Sequence, residues 1–98
     1  MSIIITEIKG DGIILKCNKP MLLNYNIENG YLIFDDEVLD IYLCCKNEQE
    51  LFDEFCEFII SDYFTFVKED DELLTDKAKE YRKILQSKFT EIIEWGDK

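Results

Sequence analysis

The apolar residues of this chain change period once, at Asn47. Before it they follow every second position in short runs, broken by Gly-Asp-Gly, Asn-Lys-Pro, Asn-Gly and Asp-Asp-Glu; after it they recur every third or fourth position. A period of two places alternate side chains on the two faces of a strand, and a period near 3.6 gathers them along one side of a helix. Neither half buries its own apolar face, so the halves must pack on each other. A chain of 98 residues is the size of one domain. Its 47% apolar content, with seven Phe, five Tyr and one Trp, is enough for a core without disulfides or metal. The expected fold is a single α+β domain over residues 1–98: an antiparallel, meandering sheet of three to five strands with two helices packed largely on one face.

The punctuation gives the expected elements. Ile3–Ile8 and Ile13–Cys17 read as a hairpin around Gly10-Asp11-Gly12. Asn18-Lys19-Pro20 interrupts the pattern, since proline cannot donate in a ladder. Met21–Ile27 and Tyr31–Phe34 read as strands joined by Asn29-Gly30, a pair suited to positive φ. Asp35-Asp36-Glu37 forms the next turn and Val38–Cys45 the next strand. Asn47 then caps a helix, with Glu50 at the capping-box position, and Phe52, Phe55, Ile59, Tyr63 and Phe66 mark its buried stripe to about Lys68. After the acidic connector Glu69–Glu72, Thr75 caps a second helix with Ala78, Tyr81, Leu85, Phe89 and Ile92 inward, ending at Gly96.

Charge narrows the function classes. The chain carries −11, and between Asp35 and Glu72 there are fourteen acids and two bases, against eight acids and nine bases elsewhere. Such a centre repels phosphate, so direct nucleic-acid binding is not expected, whereas a basic protein is attracted and its encounter accelerated. The chain has no His, which removes the usual general base and zinc ligand, and it has no nucleophile elbow and no phosphate-binding glycine loop. The acidic runs Asp35/Asp36/Glu37/Asp40 and Glu69/Asp70/Asp71/Glu72 lack the spacing and central glycine of a calcium loop. No enzyme activity, metal or other cofactor is expected. Cys17, Cys44, Cys45 and Cys56 form no C-x-x-C pair and read as reduced, mostly buried residues. With no signal peptide in MSIIITEIKG and no apolar run near ~20 residues, a cytoplasmic protein without a membrane segment is expected.

The order strand, turn, strand, capped helix, acidic connector, second helix over Tyr31–Leu85 resembles the core of HicB-like antitoxin domains. Tyr31–Phe34 is similar to the family's first strand, Leu39-Asp40-Ile41-Tyr42 to the start of its second, and Asn47 with Glu48–Phe52 to its helix opening. The family's glycines after Ile41 are replaced by Leu43 and Cys45, and with the chain ending at Lys98 its DNA-binding segment is not expected here. The resemblance implies a non-catalytic antitoxin-like protein whose partner is a small basic toxin ribonuclease, and a tendency to self-associate. The acids expected to meet such a partner are Asp35, Asp36, Asp40, Asp70, Asp71 and Glu72. Phe58, Phe64 and Trp95 lie off or beyond the two helical stripes and are the residues expected at a homodimer contact. The same acids would also suit a nucleic-acid mimic that inhibits a nucleic-acid-binding protein, and an orphan self-associating domain is the third reading.

Overall fold

Two tight turns set the sheet. In the computed structural model, which describes residues 1–92, Asp11 and Gly12 reverse β1 (Ser2–Gly10) into β2 (Ile13–Glu28), and Asn29 and Gly30 reverse β2 into β3 (Tyr31–Asp36). All four residues have positive φ, between 49° and 83°, the conformation that a two-residue loop needs to match the twist of its strands. The third turn is built differently. Asp36 Oδ1 accepts the Leu39 N–H at 3.0 Å, and Asp40 adopts φ 55° before β4 (Ile41–Cys45) begins. The turn therefore extends to Asp40, and Val38, expected to open the strand, lies in it. Asp35 and Asp36, expected in the turn, instead close β3.

β2 is bent rather than ended at Asn18-Lys19-Pro20. Ser2–Ile5 pair with Met21–Asn24 and Glu7–Gly10 with Ile13–Lys16, so β2 carries three extra residues opposite Thr6. The bulge keeps Pro20 out of the paired positions. It also lets Asn18 reach the junction of the second helix and the C-terminal strand: its Nδ2 donates to Ser87 O at 2.8 Å and its Oδ1 accepts from Thr90 Oγ1 at 2.5 Å.

α1 (Glu48–Asp62) starts as expected. Asn47 Oδ1 accepts the Glu50 N–H at 2.8 Å, and Glu50 Oε1 reaches back to the Lys46 N–H at 2.9 Å. From Tyr63 to Val67 the helix continues with the wider winding of a π-helix. A short 3₁₀ turn at Asp71–Leu73 leads to α2 (Asp76–Lys88), capped by Thr75 Oγ1 on the Ala78 N–H at 3.1 Å. The expected extension of this helix through Phe89 and Ile92 is not what forms. Phe89–Ile92 is a fifth strand, β5, antiparallel to β2 in the register Cys17↔Phe89 to Ile14↔Ile92. The four-residue spacing of Leu85 and Phe89 fits a helix, but Phe89-Thr90-Glu91-Ile92 also alternates, and the open edge of β2 supplies the partner that decides between them. Gly96 and Trp95 lie outside the described residues.

The sheet order is β1-β2-β3-β4, with β5 on β2. Ile5, Ile8, Leu15, Leu23, Phe34, Ile41 and Cys45 face the helices and meet Leu51, Phe55, Ile59 and Leu85 in one core. Phe34 and Phe55 pack edge to face, with centroids 5.9 Å apart. Both helices thus lie on one side, and the molecule is 21 Å across its shortest axis, the thickness of two layers. On the opposite sheet face Ile4, Leu22 and Tyr42 are exposed, while Ile14, beside β5, is buried.

Gly10 has a role that its turn position conceals. A Cβ there would stand 3.1 Å from Ile60 Cγ1, so the bare glycine lets α1 settle on β1. Gly10→Ala is expected to destabilise the fold by about 1–3 kcal/mol through overpacking. Phe55→Ala, at a fully buried position, should cost about 3–5 kcal/mol. Urea unfolding midpoints of the two variants against the unsubstituted chain check both.

Candidate interaction cleft

The far half of α1, its π-helical continuation, α2 and the β3–β4 turn enclose a cleft of about 740 Å³. Phe58, Asp62 and Phe66 come to it from one side, at successive steps of four along the helix. Ala78, Tyr81 and Ile84 come from α2 at steps of three, and Val38, Leu39 and Asp40 from the turn. This row of α1 is adjacent to the stripe that carries Phe55 and Ile59 into the core, so its side chains are left half-buried or exposed. Leu39, Phe58, Phe66, Tyr81 and Ile84 supply an apolar lining. Glu37, Asp40, Asp62 and Glu80 supply four carboxylates, against the single ammonium of Lys77.

Tyr81 ties the three walls together. Its ring meets Phe66 edge to face at 4.9 Å. Its hydroxyl lies 2.6 Å from Asp62 Oδ2 and 3.1 Å from Leu39 O. One phenolic proton cannot serve two acceptors fully. Burial raises the Asp62 carboxyl above its ordinary value and nearby Asp40 adds to the rise, while the Tyr81 hydrogen bond opposes them. A protonated Asp62 would donate to Tyr81 and free the phenol for Leu39. The phenol is itself pushed well up, chiefly by burial and then by Asp62.

The residues singled out by sequence are dispersed. Asp40 and Phe58 line the cleft. Asp36 is engaged in the turn beside it. Asp35 stands on the uncovered sheet face, paired in register with Tyr42. Asp71 is held by Arg82, with Lys79 at 3.9 Å, and the Arg82 guanidinium keeps its carboxyl below the ordinary range. Asp70 and Glu72 are exposed at the start of the second helical hairpin arm. Phe64 is 39% exposed within the π-helical turn, and Trp95 lies outside the described residues. Sequence reading missed Asp62, Glu80 and Tyr81 as members of one site. Asp62 had a signal, being one helical step from Phe58; Tyr81 had none, because its partners are 19 and 42 residues away.

A second cluster lies where β4 meets α1. The Sγ of Cys45 and carboxylate oxygens of Glu50 and Glu54 all fall within 4.8 Å of one another. Among the described residues these are the donor atoms close enough to share a cation. Burial, then Glu54 and Glu50, pushes the Cys45 thiol to about 11, so it is a neutral thiol at neutral pH. Cys56 is likewise pushed to about 11 by burial first. Among the described residues no helix is long and apolar enough to cross a membrane. No protein-family model, curated protein or solved structure matches the chain.

Two expectations follow from the protonation chemistry. The raised Asp62 favours the folded state at low pH, and that contribution is lost as pH climbs from 3.8 through its higher folded value. Asp62→Asn should therefore flatten the stability profile across this window, while Tyr81→Phe should cost about 1–2 kcal/mol at neutral pH; urea midpoints against pH test both. Of the four cysteines only Cys44 is exposed, so one thiol should react rapidly with Ellman's reagent in the folded protein and all four after unfolding.

Proposed function

We propose that this chain is a non-catalytic interaction protein, of the kind that HicB-like antitoxins represent, and that its cleft holds a basic partner protein such as a small toxin ribonuclease. The observation that carries this reading is the cleft's composition: an apolar lining with four carboxylates and one ammonium. Apolar contact supplies affinity at short range, and the acids supply attraction and selectivity at longer range. The exposed acids of α1, Glu48, Asp53 and Glu57, extend the same field. The lining comes from helices and a turn, with no open strand edge. A partner segment seated there must satisfy its own backbone hydrogen bonds, which favours side chains offered from a helix. The order of elements over Tyr31–Leu85 supports the antitoxin form of this reading.

On this proposal the adjacent reading frame encodes a small basic protein, and the absence of one would count against the antitoxin form of the reading. That protein should co-purify with this chain, and chemical-shift changes should concentrate at Val38, Phe58, Tyr81 and Ile84. Glu37→Gln with Asp40→Asn, which keeps a residue tolerant of the positive φ at position 40, should weaken binding about tenfold or more. Binding should also weaken from about 0.1 M to about 1 M salt, as the screening length falls from ~10 Å to ~3 Å. A complex insensitive to salt, or shift changes confined to the sheet face, would overturn the proposal.

A further inference from the structure

The sheet face turned away from the helices differs from the rest of the surface in charge. Its paired outward positions carry three acids (Glu7, Glu28, Asp35) and two lysines (Lys9, Lys16), a net of −1 in a chain of −11. Among the described residues most of the other acids lie on the helices, the connector and the turns. The same face exposes large apolar side chains. Ile4 and Leu22 stand opposite each other on β1 and β2, 65% and 56% exposed. Tyr42 on β4 is 66% exposed, and Ile33 and Cys44 are neighbours across β3 and β4.

These two properties select the occupant. A basic protein gains almost nothing electrostatically on a face of −1 and is drawn to the acidic helical side instead. A second copy of this chain, itself at −11, meets its least repulsion here and can bury apolar surface in doing so. Four strands at ~4.8 Å spacing and about eight residues at ~3.3 Å give a patch of roughly 500 Å² in projection. That is the order of the ~800 Å² of accessible surface each partner gives to a standard interface. We propose that two copies associate back to back through the exposed part of this face, away from the buried Ile14, about a two-fold axis, leaving the helices and their clefts outward. The contact uses Ile4, Leu22, Ile33 and Tyr42 rather than Phe58, Phe64 and Trp95. The inference stands independently of what the cleft binds.

Mass by light scattering and the reactivity of Cys44 test it together. At about 0.1 mM protein and ~0.15 M salt, where screening confines repulsion to ~8 Å, the mass should be twice the 11.7 kDa of one chain. Added salt should strengthen the dimer, opposite in sign to its effect on a basic partner at the cleft. Leu22→Glu and Tyr42→Glu should each return the monomer mass. Leu73→Glu, at a residue 69% exposed on the 3₁₀ turn, should leave the dimer intact. Maleimide labelling of Cys44 should slow as the protein is concentrated, and should not slow in the Leu22→Glu chain. A monomer mass for the unsubstituted chain, a dimer that survives both face substitutions, or Cys44 labelling at one rate in monomer and dimer would each overturn the proposal.

Discussion

β2 is the strand through which every other part of the sheet is connected. β1 pairs with it along one edge, and β5 and β3 share the other, β5 at Ile14–Cys17 and β3 at Tyr25–Glu28. On β2 the inward side chains keep to alternate positions through the bulge, Leu15 and Cys17 before it, Leu23 and Tyr25 after, and all enter the same core. On β1 the inward set instead shifts across Thr6, from Ile5 to Ile8, and the odd number of extra residues on β2 opposite Thr6 matches that shift, since a slip of one residue exchanges the two faces. The bulge's own Asn18 then fastens the junction of α2 and β5. Irregularity in the central strand therefore joins the sheet to the helical layer.

The helical layer inherits a division of labour from that arrangement. Its deepest side chains, Leu51, Phe55, Ile59 and Leu85, are spent on the core. The adjacent row of α1 and the first turns of α2 are left to meet across a gap with the β3–β4 turn as its third wall. Tyr81 braces that gap through a phenol shared between Asp62 and Leu39. The connector acids are used in another way. Asp71 is engaged by Arg82 and Lys79, so part of the dense negative run in the sequence is neutralised internally, and the carboxylates of the cleft come from three separate segments, the β3–β4 turn, α1 and α2.

The α+β class, the two tight turns, both helix caps and the helical stripe of α1 were legible because each rests on local chemistry, whereas Ile13–Glu28 read as two strands because Asn18-Lys19-Pro20 looks like a break and is a bulge. The C-terminal strand was not. Phe89–Ile92 satisfies both periods, and the deciding partner, Ile14–Cys17, is distant in sequence. The length of the third turn was misjudged for a related reason. Val38 has strand character by type, yet the chain stays in a turn for three residues more, to Asp40, with the Asp36 carboxylate on the Leu39 N–H. Of the cleft, Asp40 and Phe58 were visible as an acid in a turn and an aromatic off its stripe. Asp62 and Tyr81 become a site only when a 19-residue separation is closed by folding.

Closure by β5 also has a bearing on biosynthesis. Asn18 and Thr90 are 72 residues apart, so the edge of β2 at Ile14–Cys17 stays unpaired until the end of the second helix has been made. At ~5–20 residues per second that interval is roughly 4–15 s. Throughout it the nascent sheet exposes an open strand edge and the apolar residues that Leu85 and Phe89 will cover. Translation speed across the second helix thus sets how long the unfinished domain is open to chaperones, or to pairing with another growing chain.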